Sequence, residues 1–381
     1  MGTNTRWYGA IALGALIAVA AATGICTAGA ARDREDRTTA VTRPAARFGA
    51  ASPRATDEEA GTPACWAGVE ELEAPGLSLA HFRDVVAPLL ASGDPLVRAY
   101  LEERLTELVG ADQGRALELL GWVKGAADEP LVALALAALE QSEAVQAPDV
   151  AAALLALGQD DAISSDRRAL VIAALETQHR LSPAAAGDLA ALAADPGSGD
   201  AGWMAARTLG RVMHEDFQRT GTVAPYLDRL VDIGQNAAAP NVRVAALEMP
   251  MVAEVLLDRR SARRQAAILT ADPDPLVREL AAHNLSLAAD KDRVLSVYAR
   301  AFDAESDLCV RWALFRFAAR AVGARALPVM ARMAERDRRF GDLYQQFADI
   351  YASGVVDFER VWLSLPSDDP FACLAREEED S

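Results

Sequence analysis

The chain has 381 residues and a formal net charge of −17, long enough for two ordinary domains or one extended repeat array. The acidic balance argues against a protein that wraps nucleic acid, whose affinity rests on neutralising phosphates, and against a polybasic membrane-binding surface. About half the residues are hydrophobic while aromatics make up only 6%, a composition that favours helix over strand.

From Trp7 to Ala31 the sequence is free of charge, bracketed by Arg6 and Arg32. A spanning helix needs about 20 mostly apolar residues, so residues 1–31 are expected to form a signal peptide or a single transmembrane anchor. Ala28-Gly29-Ala30 fits the small-x-small pattern of a signal-peptidase site. Ile25, ahead of Cys26, is too large for a lipoprotein signal, and Arg6 stands where a myristoylation signal needs Ser or Thr. Arg32, Arg34, Arg37, Arg43 and Arg47 outnumber Arg6 across the segment, a balance that places the C-terminal side inside. The N-terminal position and the cleavage-like site point instead to export. The expected location is a single-pass anchor in a bacterial inner membrane with the domain in the periplasm; the alternative is a secreted or periplasmic chain cut near Ala30. Residues 32–63 are rich in Ala, Arg, Thr and Pro and nearly devoid of large apolar side chains, so a disordered linker is expected there. As a flexible coil it would span roughly 30 Å.

Beyond the linker the sequence repeats itself. DPLVRAYLEERL at Asp94 matches DPLVRELAAHNL at Asp274, and NVRVAALEM at Asn241, DLCVRWALFRFA at Asp307 and EPLVALALAALE at Glu129 follow the same pattern. Weaker copies start at Asp166 and Asp200. The apolar anchors Val97, Val132, Leu170, Met204, Val242, Val277 and Val310 are spaced 35, 38, 34, 38, 35 and 33 residues apart. That period suits a helix–turn–helix unit. Capping chemistry agrees: Asp94-Pro95, Asp274-Pro275 and Ser182-Pro183 each put a capping side chain ahead of a proline whose missing N–H costs nothing at the first helical position. Pro148 opens a further helix that Gly158 closes. Ahead of the anchor helices run other apolar helices, among them AHFRDVVAPLL, RALELLGWV, VAAALLAL, PYLDRLVDI and DRVLSVYARAF. Neither member of a pair can bury its face alone, so stacked neighbours must supply the core.

The D-x-x-V-R pattern at this period resembles the HEAT repeats and the HEAT-like repeats of bacterial proteins, over Ser78 to Val322. The resemblance implies an all-α fold, an α-α superhelix or HEAT-like solenoid whose second helices line a concave face. The expected organisation is an N-terminal hydrophobic helix (1–31), a linker (32–63), helical repeats (64–322) and a C-terminal capping region with an acidic tail (323–381). Past Val322 the aromatics rise: Phe340, Tyr344, Phe347 and Tyr351 form one helical stripe, followed by Phe358 and Trp362. This stripe is read as an end cap over the last repeat, in preference to a groove for an apolar partner.

Chemistry is sparse. His81, His179, His214 and His283 fall in different units, and His214-Glu215 lacks the second histidine of a metalloprotease helix, since Gln218 stands there. The HEAT-like hydroxylases to which the resemblance extends use several His-Glu pairs, and this chain has one. The Gly-rich run at Asp195 lacks the Gly-Lys-Ser/Thr ending of a phosphate loop and reads as a turn. Cys26, Cys65, Cys309 and Cys373 form no zinc spacing. Free, largely buried thiols are the expectation, with a Cys309–Cys373 bridge as the alternative. Arg98, Arg243, Arg278 and Arg311 recur at one repeat position. They are read as bonding a cap acid or a carbonyl in a neighbouring unit, against an anion-binding ladder. Glu102, Glu103, Glu254 and Glu279 accompany them and weigh against nucleic acid. No catalytic, cofactor or metal residue is expected. The expected function is a non-enzymatic protein-binding or scaffold module of the bacterial cell envelope, with a protein or peptide partner and membrane contact only through the N-terminal segment. The alternative is a HEAT-like enzyme of the lyase or metal-dependent hydroxylase type.

Overall fold

The computed structural model describes residues 69–125 and 128–373. The anchor or signal (1–31), the linker (32–63), Cys26, Cys65 and the acidic tail lie outside the described residues. Among those described there is no β-strand; one isolated bridge joins Leu257 to Ala288. No helix among them is long and apolar enough to cross a membrane. The chain divides into two compact units, one ending at Asp94 and the other starting at Pro95.

The first unit contains α1 (Val69–Leu72) and α2 (Leu79–Leu90). The Ser78 side chain caps α2 by accepting from the His81 N–H, and Leu72, Phe82 and Val86 are fully buried.

The second unit opens with α3 (Pro95–Val109) and continues as helix pairs: α4 (Gln113–Gly125) with α5 (Glu129–Gln141), α6 (Pro148–Gly158) with α7 (Ser165–Ala173), α8 (Pro183–Ala194) with α9 (Asp200–Thr220), α10 (Tyr226–Asn236) with α11 (Pro240–Val252), α12 (Arg259–Ala271) with α13 (Pro275–Leu285), and α14 (Lys291–Ala304) with α15 (Leu308–Val322). It ends with α16 (Leu327–Arg336), α17 (Gly341–Ala352) and α18 (Phe358–Leu363). The even-numbered helices α4 to α16 pack each on the next, and so do the odd-numbered helices α3 to α15. The unit is therefore two helix layers with the core between them.

Local sequence explains the helix starts. The Asp274 carboxylate accepts from the N–H groups of Leu276 and Val277, and Asp307 does the same for Cys309 and Val310. Each acid satisfies orphan donors of the first turn. Ser182 caps α8 with Pro183 next, and Pro148 and Gly158 bound α6, as the sequence suggested.

Two anchors fall out of register. Val132, Val277 and Val310 are fully buried, but Leu170 is 46% exposed and Met204 is only half-buried. The reason is the helix start. Ser164, two residues before the expected Asp166, caps α7, so Ala169, Val171 and Ile172 turn inward. Gly199 precedes α9, whose buried face is Ala201, Gly202, Ala205 and Ala206. Small residues let helices approach closely. A Cβ built on Gly210 would lie 2.6 Å from Met249 of α11, and one on Gly234 the same distance from Leu247.

The aromatic stripe past Val322 packs onto α15. Phe340 and Phe347 are fully buried and Tyr351 nearly so, while Tyr344, Phe358 and Trp362 are half-buried. Phe315 of α15 packs against Phe340 and Phe347, with ring centroids 5.1 and 5.9 Å away. Trp312 meets Trp362 and Phe371, both at 6.0 Å. These contacts bury the stripe against α15. The expectation of free thiols is overturned for Cys309 and Cys373. The segment after α18 folds back to the start of α15, brings the two Cα atoms to 5.6 Å and forms a disulfide.

Candidate functional site

Of the recurrent arginines, Arg243, Arg278 and Arg311 turn their guanidinium groups into the junctions between helix pairs. Arg243 bonds the carbonyls of Ala237 and Ala238 in its own inter-helix turn and the Asp272 carboxylate in the next. Arg278 does the same with the carbonyls of Asp272 and Pro273 and, through two parallel bonds, with Glu305. Arg311 reaches Asp337 at 3.0 Å. Each acid ends the first helix of the following pair, so the arginines form a chain of ties from pair to pair. Arg168, not singled out by sequence, holds the equivalent place four residues past the α7 cap and bonds Asp161. Arg98 instead pairs along its own helix with Glu102 at the surface.

A second buried network lies at α9. Asp216, 2% exposed, accepts from Arg180, from the Tyr226 hydroxyl and from Thr220, while the Tyr226 oxygen accepts from the Leu181 N–H. Burial pushes the Asp216 carboxyl up, but the bonds and charge of Arg180, with the other two donors, hold it below the usual carboxylate range. Sequence periodicity gave no sign of this group, because its partners come from three different elements.

The histidines do not come together as a ligand set. His81 lies 3.7 Å from Glu71, and His179 lies 3.7 Å from Glu215. His214 is shifted down by burial and by Arg211. His283 stacks on Phe317 at 4.4 Å, and burial, then Arg320 and Arg316, push its pKa to about 2. It is therefore a neutral ring at ordinary pH. Among the described residues, one group with metal-capable atoms converges: Glu279, Asp307 and Cys309. The disulfide leaves Cys309 without a thiolate to offer, and Asp307 spends an oxygen on the α15 cap.

Two hollows open between neighbouring first helices. One, of about 120 Å³, lies between α12 and α14 and is lined by Leu257, Ala262, Ala266, Ala288, Val294 and Val297. The other, of about 370 Å³, lies between α6 and α8 over an alanine floor. No histidine or cysteine among the described residues lines either one.

A further polar cluster lies on the second-helix layer. Arg320 of α15 donates to the Glu254 carboxylate at 2.6 Å. This bond skips a pair, joining α15 to the turn after α11, with α13 between them in the stack. Glu254 holds a left-handed backbone, φ 52°, which a non-glycine residue adopts at a cost. Burial lowers the Arg320 pKa, and burial and Arg320 together lower that of Lys291, whose ammonium also bonds the Ser286 carbonyl at 2.9 Å. The Arg316 guanidinium lies 4.7 Å over the Phe317 ring and 5.4 Å over Trp362.

A scan against protein families finds no family model that matches the chain, and a search of curated proteins finds no matching relative.

Proposed function

We propose that the chain is a HEAT-like α-solenoid acting as a non-enzymatic binding or scaffold module for a protein partner at a bacterial cell envelope. One observation carries this reading: helix pairs stack in two layers and are tied pair to pair by arginine–carboxylate bonds. Such stacking yields an extended surface in which each unit leans on its neighbours. The Glu254–Arg320 bond across an intervening pair supports an inner, second-helix side on which residues from non-adjacent pairs meet. The charge-free segment before Arg32 motivates the envelope assignment. Capture of partners from envelope extracts by the immobilised chain tests the binding role. The expected result is a stoichiometric protein that a variant with scrambled surface charges does not retain; equal retention by both sinks the reading. N-terminal sequencing and protease shaving of intact cells test the compartment.

A further inference from the structure

Basic side chains gather around Arg320, which is unusual for so acidic a chain: its charge acts on Lys291 of α14 and, with that of Arg316, on His283 of α13, and Lys291 is one of two lysines in the sequence. The Arg320 side chain is 15% exposed, whereas Glu254, its partner, is 67% exposed. The carboxylate therefore enters from the solvent side and sits on a guanidinium whose burial already disfavours its charge. Glu254 reaches that position from a strained turn, between exposed apolar residues: Val252 at 42% and Leu256 at 76%. A largely buried cation thus carries a strained, solvent-facing carboxylate.

We propose that Arg320 is a carboxylate-receiving site, occupied in the resting chain by Glu254, at which an acidic segment of a protein partner places a side chain in its stead. The inference rests on the binding role above and names the chemistry of that partner. The guanidinium fork suits a carboxylate held by two parallel bonds. Glu254 acts as a tethered competitor, so the apparent affinity for an outside carboxylate is scaled down by the fraction of time the site is free.

Fluorescence anisotropy with a labelled hexaglutamate peptide, titrated with the full chain at low and physiological salt, tests the proposal. Glu254→Gln removes the competitor's charge and keeps its shape, and is expected to tighten binding about tenfold, the signature of an occupied site. Arg320→Gln is expected to abolish binding, and Arg320→Lys to keep only part of it, because an ammonium lacks the fork. Arg325→Gln, which breaks an exposed pair with Asp292, is expected to change nothing. Circular dichroism melts confirm that each variant is folded. If folded Glu254→Gln binds no tighter than the parent, or if Arg320→Gln still binds, the site is overturned. The binding role fails separately, through loss of partner capture, and partner capture unaffected by Arg320→Gln also counts against the site while leaving that role standing.

Discussion

The middle and the end of the second unit solve the same packing problem with opposite materials. At α9 and α11 the helices meet through alanine and glycine, with Gly210 against Met249, and a buried carboxylate, Asp216, ties α9 to the turn before α8 and to α10. At α15 they meet through Trp312 and Phe315 under Phe340, Phe347, Trp362 and Phe371. An interior pair has a neighbour on each side, so close backbone approach suffices. Among the described residues the second-helix layer ends at α15, and large side chains fill the place a neighbour would take.

The contrast can be broken from either side. Trp312→Ala removes the centre of the end cluster and is expected to cost about 3–5 kcal/mol, read as a shift in the urea midpoint. The ladder comes next. Arg243 and Asp272 are both nearly inaccessible, at 8% and 6%, so Arg243→Ala leaves a buried carboxylate unpaired, at about 3 kcal/mol. The equivalent Arg98→Ala, at an exposed pair, is expected to cost less than about 0.5 kcal/mol. Equal losses at both would refute the distinction between tie and surface pair. Gly210→Leu forces bulk into the α9–α11 contact and is expected to cost about 1–3 kcal/mol; a neutral outcome would mean that close approach there is incidental. The last effect appears only in acid. Hydrogen bonds from Arg339 and Arg311 hold the Asp337 carboxyl near 2, against 3.8 ordinarily. The unfolded chain takes up this proton near pH 4, the folded chain only near pH 2. The contribution is therefore intact above pH 4 and drains between pH 4 and 2. Asp337→Asn should flatten the dependence of the urea midpoint on pH over that interval, and an unchanged slope would remove Asp337 from the account.

Much of the helical plan is legible in the sequence, because caps and prolines act locally. Asp274-Pro275 and Ser182-Pro183 mark helix starts that the structure reproduces. Register in α7 and α9 is not legible in the same way. There the expected caps, Asp166 and Asp200, are already inside the helices; the Ser164 side chain caps α7, and Gly199, which has no side chain to cap with, precedes α9. The structural reading of the arginines also follows from their spacing, but their partners do not. Asp272, Glu305 and Asp337 end first helices and follow no D-x-x-V-R pattern, so only the fold shows what each arginine reaches. The Arg320 cluster was invisible for a related reason. His283, Lys291 and Arg320 sit on three helices, and Glu254 comes from a turn two pairs away, so no spacing connects them.

The bond between Cys309 and Cys373 also decides how the molecule would answer to tension. The two residues are 64 apart in sequence, and the loop they close carries α16, α17 and α18. Pulled from beyond Cys373, load passes through the sulfur bridge straight into α15. Roughly 220 Å of contour, at about 3.5 Å per residue, then stays out of the stretched path until a reductant opens the link.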